Sequence, residues 1–310
     1  RDLHKEYRRQ RQMCIRDRSE LELIGGSRVL MQGGVHPELK LEWYIDLLSE
    51  LSARHPSIAL DCFSPIEIEG ISQVCGMPPK DVLARLKQAG MHGLPGGGAE
   101  MLVDEIRLDV SPKKGSAENW MRIMREAQEL GLTTSATNVF GFGESNLHRV
   151  LHMDSVRGMQ DDAASEGRKG FTSFVPWPVI LGNNSFGSRN RGQNRLTLGA
   201  GPTEYLRHVA ISRLFLDNVP HIQASWPTMG VEVAQIALLA GADDAGATMM
   251  EENVVSASGT TETEASEDEL QRMILRAGFR PRRRDSDYEL LETEVLREEI
   301  PSQVPLQPDS

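Results

Sequence analysis

The hydrophobic and polar positions of the chain follow two alternating patterns. Short apolar runs, rich in β-branched residues, are separated by longer segments in which apolar residues recur every three or four positions. The first pattern is typical of buried strands and the second of amphipathic helices. We predict seven strands, at Arg28–Met31, Ile58–Phe63, Met91–Leu94, Thr133–Val139, Phe171–Val175, His221–Ser225 and Asp244–Met249. We predict helices near Leu41–Arg54, Lys80–Ala89, Glu118–Leu130, Leu147–Ala164, Glu204–Leu216, Val231–Leu239 and Ser266–Ala277. The last of these opens with a capping-box pattern, Ser266–Glu269.

This alternation predicts a parallel sheet covered by helices. Seven strands are one short of a closed eight-stranded barrel, so the fold class we expect is an α/β (βα)₈ TIM-type barrel that lacks its first βα unit. Residues 1–18 show no apolar period, and we expect them to be an artefactual lead-in. Residues 19–288 form the incomplete barrel with its C-terminal extension. Residues 289–310 are polar and contain proline, which predicts a disordered tail.

Composition limits the classes of partner that we expect for the protein. The 310 residues carry 34 basic and 45 acidic side chains, a formal charge of −11, so we expect no general attraction to nucleic acid or to an anionic membrane. Apolar runs stay below the ~20 residues that span a bilayer. We therefore expect a cytoplasmic protein. The one locally basic stretch, Arg280–Arg284, is expected to be a solvated loop.

The chemistry of such a barrel is expected in the loops after the strands, at their carboxyl ends. Two of these loops combine glycines with a glutamate and a third offers glycines alone. This set suits a zwitterionic or ribose-bearing ligand, because carboxylates accept from an ammonium group or hydroxyls, and exposed amides donate to a carboxylate. A glycine pair at a tight turn is also a structural commonplace. The loops in question are Gln32–His36, Ser64–Glu67, Pro95–Glu100, Phe140–Glu144, Pro176–Pro178, Trp226–Gly230 and Glu251–Asn253.

Other chemistries match the sequence less well. His148 and His152 have metal-ligand spacing, but no glutamate follows the first histidine and the segment is a long amphipathic helix. The stretch GGGAE lacks the Lys-Ser/Thr ending of a phosphate loop, and no Gly-x-Ser-x-Gly motif occurs. His221 is equally compatible with a functional role in a site and with a structural position in an ordinary strand at the bottom of the barrel. Cys14, Cys62 and Cys75 lack the short spacings of a zinc site, so free thiols are expected.

Six stretches together carry a family resemblance. LMQGGVHP, FSPIEI, PGGGAEML, VPWP, RLFLDNVPHIQASW and GATMMEENVVSASG resemble the radical S-adenosylmethionine enzymes of futalosine-dependent menaquinone biosynthesis. The stretches PWP, QASW and MMEENVVSA favour the ring-closing member, which converts dehypoxanthine futalosine to a cyclic product. The alternatives are an aminofutalosine synthase, half of a deazaflavin (FO) synthase, or a cluster-free binding barrel.

The resemblance implies two groups of site residues but identifies no catalytic acid or base. Its S-adenosylmethionine side comprises Gln32, Gly33, Gly34, Ser64, Glu67, Glu100, Gly141, Gly143 and Glu144. Its substrate side comprises His36, Trp177, Gln223, Ser225, Trp226, Glu251, Glu252 and Asn253.

The resemblance also implies a four-iron four-sulfur cluster, a small-molecule substrate and an external electron donor. In the family three cysteines in a C-x₃-C-x₂-C loop hold the cluster, and this sequence has no such loop. We therefore expect an N-terminally truncated, inactive copy of an enzyme, with no metal ligands of its own.

Overall fold

The computed structural model describes residues 21, 25–34, 36–248, 265–293 and 295–296. Their centre is a parallel sheet of six strands in sequential order, each paired with the next along the chain. The strands are β1 Arg28–Met31, β2 Ala59–Cys62, β3 Gly93–Leu94, β4 Thr133–Phe140, β5 Phe171–Pro178 and β6 His221–Ile222. This order is that of a barrel wall, which confirms the predicted fold class.

Helices connect the strands and cover one face of the sheet. They are α1 Leu41–Arg54, α2 Pro65–Cys75, α3 Pro79–Gln88, α4 Asp104–Val110, α5 Ala117–Glu129, α6 Asn146–Ser165, α7 Ser185–Arg189, α8 Pro202–Phe215, α9 Trp226–Met229, α10 Val231–Leu239 and α11 Glu267–Arg276. The predicted capping box at the start of α11 is confirmed, because Ser266 and Glu269 exchange hydrogen bonds. No helix of the described residues is long and apolar enough to span a bilayer.

The seventh predicted strand is represented by a single parallel bridge between Gln223 and Asp244. Its predicted end, Met249, lies outside the described residues. The opposite edge of the sheet is β1, which pairs only with β2 among the residues that the structure describes. There Leu30 is 55% exposed, because no described element covers it.

Three loop predictions are wrong. The segment Pro176–Pro178 is the end of β5 rather than a loop, the segment Ser64–Glu67 begins the helix α2, and the segment Trp226–Gly230 contains the helix α9. Proline is tolerated at the end of β5 because β6 pairs only with Ser173 and Phe174, so no β6 partner requires the missing N–H groups.

The C-terminal segment closes the amino-terminal end of the sheet. Asp287 accepts from Thr133 Oγ1 at 2.5 Å, pairs with Lys169, and lies 2.9 Å from His92 Nε2. Tyr288 donates to Asp244 Oδ2 at 2.6 Å and stacks on His221 with ring centroids 4.1 Å apart. His221 is thus a structural residue at the bottom of the barrel, the second of the two readings open from the sequence.

Two expectations about this region need correction. Arg284, expected in a solvated loop, donates to Asp244 Oδ2 at 2.6 Å and covers the Tyr288 ring. The part of the expected disordered tail that the structure describes makes defined contacts, since Leu291 N donates to Arg283 O and Leu296 N donates to Gln271 Oε1, both at 2.9 Å.

Candidate ligand site at the carboxyl ends of the strands

The glycine turn after β1 is held by a carboxylate from the neighbouring loop. Gly33 N and Gly34 N both donate to Glu67 Oε1 at 2.9 Å. Glu67 lies in the first turn of α2, whose N-cap Ser64 donates to Glu67 Oε2 at 2.8 Å. The structure therefore brings four of the predicted cofactor residues into one hydrogen-bonded unit.

This arrangement changes the expected chemistry of the turn. The amides that we expected to be exposed to a ligand are bonded to Glu67. A Cβ placed on Gly33 or Gly34 would meet nothing within 4 Å. The turn thus faces open space, and its carbonyl groups, which are acceptors, are suited to a cationic ligand such as an ammonium group.

Gln32 joins this turn to the next two loops. Its Nε2 donates to Phe63 O at 3.1 Å, and a Cβ on Gly97 would lie 2.5 Å from the same nitrogen. The side chain of Trp120 donates to Gly97 O at 3.2 Å. The loops after β1, β2 and β3 are therefore in direct contact, and only glycine fits at position 97 without moving Gln32.

Glu100 lies in the loop after β3 with a left-handed backbone, φ 49°. Its carbonyl accepts from Val139 N at 2.7 Å and from Asn138 Nδ2 at 2.9 Å, and its carboxylate pairs with Lys114. The predicted site residue is thus fixed by its main chain, and a cation that the sequence did not single out lies at its side chain.

Glu144 binds the amides of a glycine turn in the same way as Glu67. Its carboxylate accepts from Gly141 N at 3.0 Å and from Phe142 N at 2.6 Å, and it is fully buried. Arg149 Nε donates to the same carboxylate at 2.7 Å, while Arg149 NH2 donates to Gly199 O at 2.9 Å. Glu144 therefore shapes the glycine turn after β4, and its charge is already balanced within the protein.

The predicted substrate residues are less closely associated. Trp177 lies on β5 beside Val139 of β4, and Gln223 forms the bridge to Asp244. His36 Nδ1 accepts from the amides of Glu38 and Leu39 at 3.1 and 3.2 Å, so it supports its own turn.

The start of α9 supplies two further predicted substrate residues, and both are buried. Ser225 bonds to Thr228 Oγ1 at 2.7 Å, and its amide donates to Tyr205 Oη at 2.6 Å. The indole N–H of Trp226 has no partner among the described residues. Glu251, Glu252 and Asn253 lie outside the described residues.

Two buried histidines, His152 of α6 and His208 of α8, lie between the sheet and its helices. Burial lowers the pKa of His152 to about 3, with Arg107 adding to the effect. Burial also lowers the pKa of His208 to about 3, with Arg149 and His152 adding to it. His152 Nδ1 accepts from Leu102 N at 2.9 Å, while His148 closes the capping box of α6 with Ser145. Both buried rings are therefore neutral near pH 7.

One buried cation was missed by the sequence analysis. Arg107 of α4 is fully buried and donates to the carbonyls of Gly98, Gly115 and Lys114 at 2.8, 2.8 and 3.1 Å, and also to that of Ala99. Burial lowers the pKa of Arg107. It organises the loop that carries Glu100, and nothing in its surrounding sequence, DEIRLDV, distinguishes it from a surface arginine.

The cysteines do not fit an iron–sulfur cluster. Cys62 is fully buried in β2, and the sulfur of Cys75 accepts from Leu41 N at 3.2 Å at the far end of α2. Cys14 lies outside the described residues. No group of three or more His, Cys, Asp or Glu side chains among the described residues could hold a metal ion.

The fold resembles that of two solved structures. It matches the FeFe-hydrogenase maturase HydG from Carboxydothermus hydrogenoformans with a TM-score of 0.61 at 14% identity, over 87% of this chain and 58% of that one. It matches methylornithine synthase (PylB) with a TM-score of 0.55 at 17% identity, over 84% and 69%. These two likenesses show the fold, and the molecule accordingly has an α/β TIM-type fold with its candidate site at the carboxyl ends of the strands.

Sequence relatives identify the family. The chain is 42% identical to the cyclic dehypoxanthine futalosine synthase of Halalkalibacterium halodurans, over 87% of this chain and 69% of that protein. It is 38% identical to the 5-amino-6-(D-ribitylamino)uracil–L-tyrosine 4-hydroxyphenyl transferase of Methanopyrus kandleri (87% and 72%) and 36% identical to the aminodeoxyfutalosine synthase of Thermus thermophilus (85% and 69%). A family model described as the CofH/MqnC C-terminal region matches residues 168–296. The chain belongs to this family of futalosine-pathway enzymes and their relatives.

Proposed function

We propose that the protein converts dehypoxanthine futalosine to cyclic dehypoxanthinyl futalosine in menaquinone biosynthesis. The observation that carries this proposal is the 42% identity to a cyclic dehypoxanthine futalosine synthase over 87% of this chain. The described residues bind and orient S-adenosylmethionine and the substrate and exclude water from them.

The glycine turn after β1 is the part of the site best suited to S-adenosylmethionine. Glu67 fixes the peptides of Gly33 and Gly34, and the space beside both glycines is open. In our proposal the carbonyl groups of this turn accept from the ammonium group of the ligand. When bound, S-adenosylmethionine supplies radical chemistry that no side chain can provide.

We assign the remaining predicted residues by their position. Glu100 lies at the loop after β3, and Gly141, Gly143 and Glu144 form the turn after β4 that approaches the adenosyl part. Trp177, Gln223, Ser225 and Trp226, together with His36 and Glu251–Asn253, form the substrate side. The buried indole N–H of Trp226 requires a hydrogen-bond acceptor, and in our proposal the substrate supplies it.

An iron–sulfur cluster has no set of ligands among the described residues. Thiolates hold such clusters, and Cys62 and Cys75 are engaged elsewhere. We infer that any cluster ligands lie outside the residues that the structure describes. We also infer a small-molecule substrate, an external electron donor and a cytoplasmic location.

The test is a substrate panel for the full-length protein after anaerobic reconstitution. We expect formation of cyclic dehypoxanthinyl futalosine from dehypoxanthine futalosine, identified by mass spectrometry. Formation of aminodeoxyfutalosine, or transfer of a 4-hydroxyphenyl group to 5-amino-6-(D-ribitylamino)uracil, would instead assign the protein to one of its relatives. Binding of dehypoxanthine futalosine without conversion would favour the cluster-free binding barrel.

A further inference from the structure

A buried polar pair lies between the sheet and its helices, directly behind Glu100. Asn138 of β4 is fully buried, and its Oδ1 lies 2.8 Å from Nε2 of His208 on α8. Its Nδ2 donates to Glu100 O at 2.9 Å. Asn138 therefore connects a histidine on an outer helix to the main chain of the loop after β3.

The hydrogen-bond roles in this pair are fixed by elimination. The Glu100 carbonyl can only accept, so the Asn138 group that faces it must be the NH₂. The Asn138 oxygen then faces His208, whose Nε2 must carry a hydrogen in order to donate. Since the ring is neutral, that hydrogen is its single N–H, and the whole of its donor capacity is used on Asn138.

Glu100 has a conformation that needs support. A non-glycine residue with φ near +50° is uncommon, and it persists where the surrounding structure holds it. Here the carbonyl of Glu100 accepts two hydrogen bonds, from Val139 N and Asn138 Nδ2. Two residues further on, Leu102 N donates to the buried His152.

We propose that Asn138 and His208 form a positioning pair that holds the left-handed peptide of Glu100, and so directs its carboxylate toward the S-adenosylmethionine site. This inference rests on the proposed function, because it assumes that Glu100 faces the cofactor. Neither Asn138 nor His208 touches the ligand, since both are buried behind the sheet.

Single and double substitutions separate positioning from simple stability. Asn138→Leu leaves the His208 N–H without its acceptor, and His208→Leu leaves the Asn138 oxygen without its donor, so each is expected to lower the melting temperature. The double variant Asn138→Leu/His208→Leu removes both polar groups together. It is expected to recover stability relative to the single variants, because replacing both partners by apolar groups can be nearly neutral.

The decisive measurement is S-adenosylmethionine affinity, by calorimetry on the anaerobic full-length protein. If the pair positions Glu100, the double variant stays well folded but binds S-adenosylmethionine about three- to tenfold more weakly, the range expected for one lost hydrogen bond. Its KM for S-adenosylmethionine should rise while its KM for dehypoxanthine futalosine stays unchanged. A folded double variant with wild-type affinity would overturn the inference.

Two further variants make the result specific. Gln128→Leu is a matched control, because Gln128 is buried and bonds to Thr134 Oγ1 at 3.2 Å at the opposite end of β4. It should lose stability without losing S-adenosylmethionine affinity, and an equal loss of affinity would show general loosening instead. Glu100→Gln should weaken binding at least as much as the double variant. If Glu100→Gln binds normally, the pair has no site residue to position and the inference fails, whereas the proposed function is judged separately by the identity of the reaction product.

Discussion

Two glutamates at the strand ends hold a glycine turn in the same way. In each case a carboxylate accepts hydrogen bonds from the amides of the turn. Glu67 does this for Gly33 and Gly34, and Glu144 for Gly141 and Phe142. With its amides bonded inside the protein, such a turn has only its carbonyl groups left to bind a ligand. The glycines and glutamates were predicted from the sequence as partners of a ligand, but their bonds to each other depend on contacts that have no local pattern.

Alanine at the two glycines should separate binding from backbone strain. Gly34 has φ +78°, whereas Gly33 does not lie in the left-handed region, and both positions open onto empty space. We expect Gly33→Ala to leave the free energy of unfolding nearly unchanged and Gly34→Ala to lower it by about 1–2 kcal/mol. Both methyl groups enter the ligand space, so both variants should bind S-adenosylmethionine more weakly. Denaturant unfolding and calorimetry measure the two effects, and normal binding by both variants would remove the turn from the site.

Two substitutions separate the charge of Glu67 from its ability to accept hydrogen bonds from the turn. Glu67→Gln keeps an oxygen for the amides of Gly33 and Gly34, so we expect its unfolding free energy to fall by at most about 1 kcal/mol. Glu67→Ala leaves those amides without a protein acceptor and should cost about 2–4 kcal/mol. Chemical denaturation of the two variants provides the comparison. Equal losses would mean that Glu67 does not hold the turn.

At the scale of elements, periodicity predicted seven of the helices described above, whereas α2, α4, α7 and α9 were not predicted. The helix α2 was missed although its start, Ser64 to Glu67, has the Ser-x-x-Glu spacing that correctly predicted the start of α11. Pro65 follows the N-cap of α2, and proline is favoured in the first turn of a helix. The sequence contained this signal.

Other element-scale features could not be predicted because they depend on distant contacts. Pro176 and Pro178 lie in β5 since β6 is too short to pair with them. Arg284 is held by Asp244, which is 40 residues away. Neither contact leaves a local pattern in the sequence.

The C-terminal segment should contribute to stability through Tyr288. Tyr288→Phe removes the hydrogen bond to Asp244 but keeps the ring contacts with His221 and Arg284, so we expect a loss of about 1–2 kcal/mol in the free energy of unfolding. Tyr288→Ala also removes the ring contacts and should cost more. Unfolding curves of the two variants test this order. Wild-type stability in both would show that the segment does not close the barrel end.

At the scale of the whole molecule, the two buried histidines predict how stability depends on pH. Each has a pKa near 3 in the folded protein against 6.5 for an ordinary histidine. Below pH 6.5 the unfolded chain takes up protons that the folded protein does not, so stability is complete above that pH and falls as the pH drops toward 3. From pH 7.5 to 5.0 we expect a loss of about 2 kcal/mol for each histidine.

Denaturant unfolding at several pH values measures this effect. In the variant Asn138→Leu/His208→Leu one of the two histidines is absent, so the fall between pH 7.5 and 5.0 should be about 2 kcal/mol smaller than in the wild type. Stability that does not change over this range would contradict the buried, neutral state of His152 and His208.

In the proposed mode of binding, the turn after β1 receives the ammonium group of S-adenosylmethionine through its carbonyl groups while Glu67 holds its amides. The most direct measurement is a structure of the full-length protein with S-adenosylmethionine bound, read at the Gln32–Gly34 turn. We predict a distance of about 2.7–3.2 Å from the ligand ammonium nitrogen to a carbonyl oxygen of this turn, with the amides of Gly33 and Gly34 still bonded to Glu67. An ammonium group bound elsewhere would contradict this mode of binding. Amides of Gly33 and Gly34 that leave Glu67 and donate to the ligand would also contradict it.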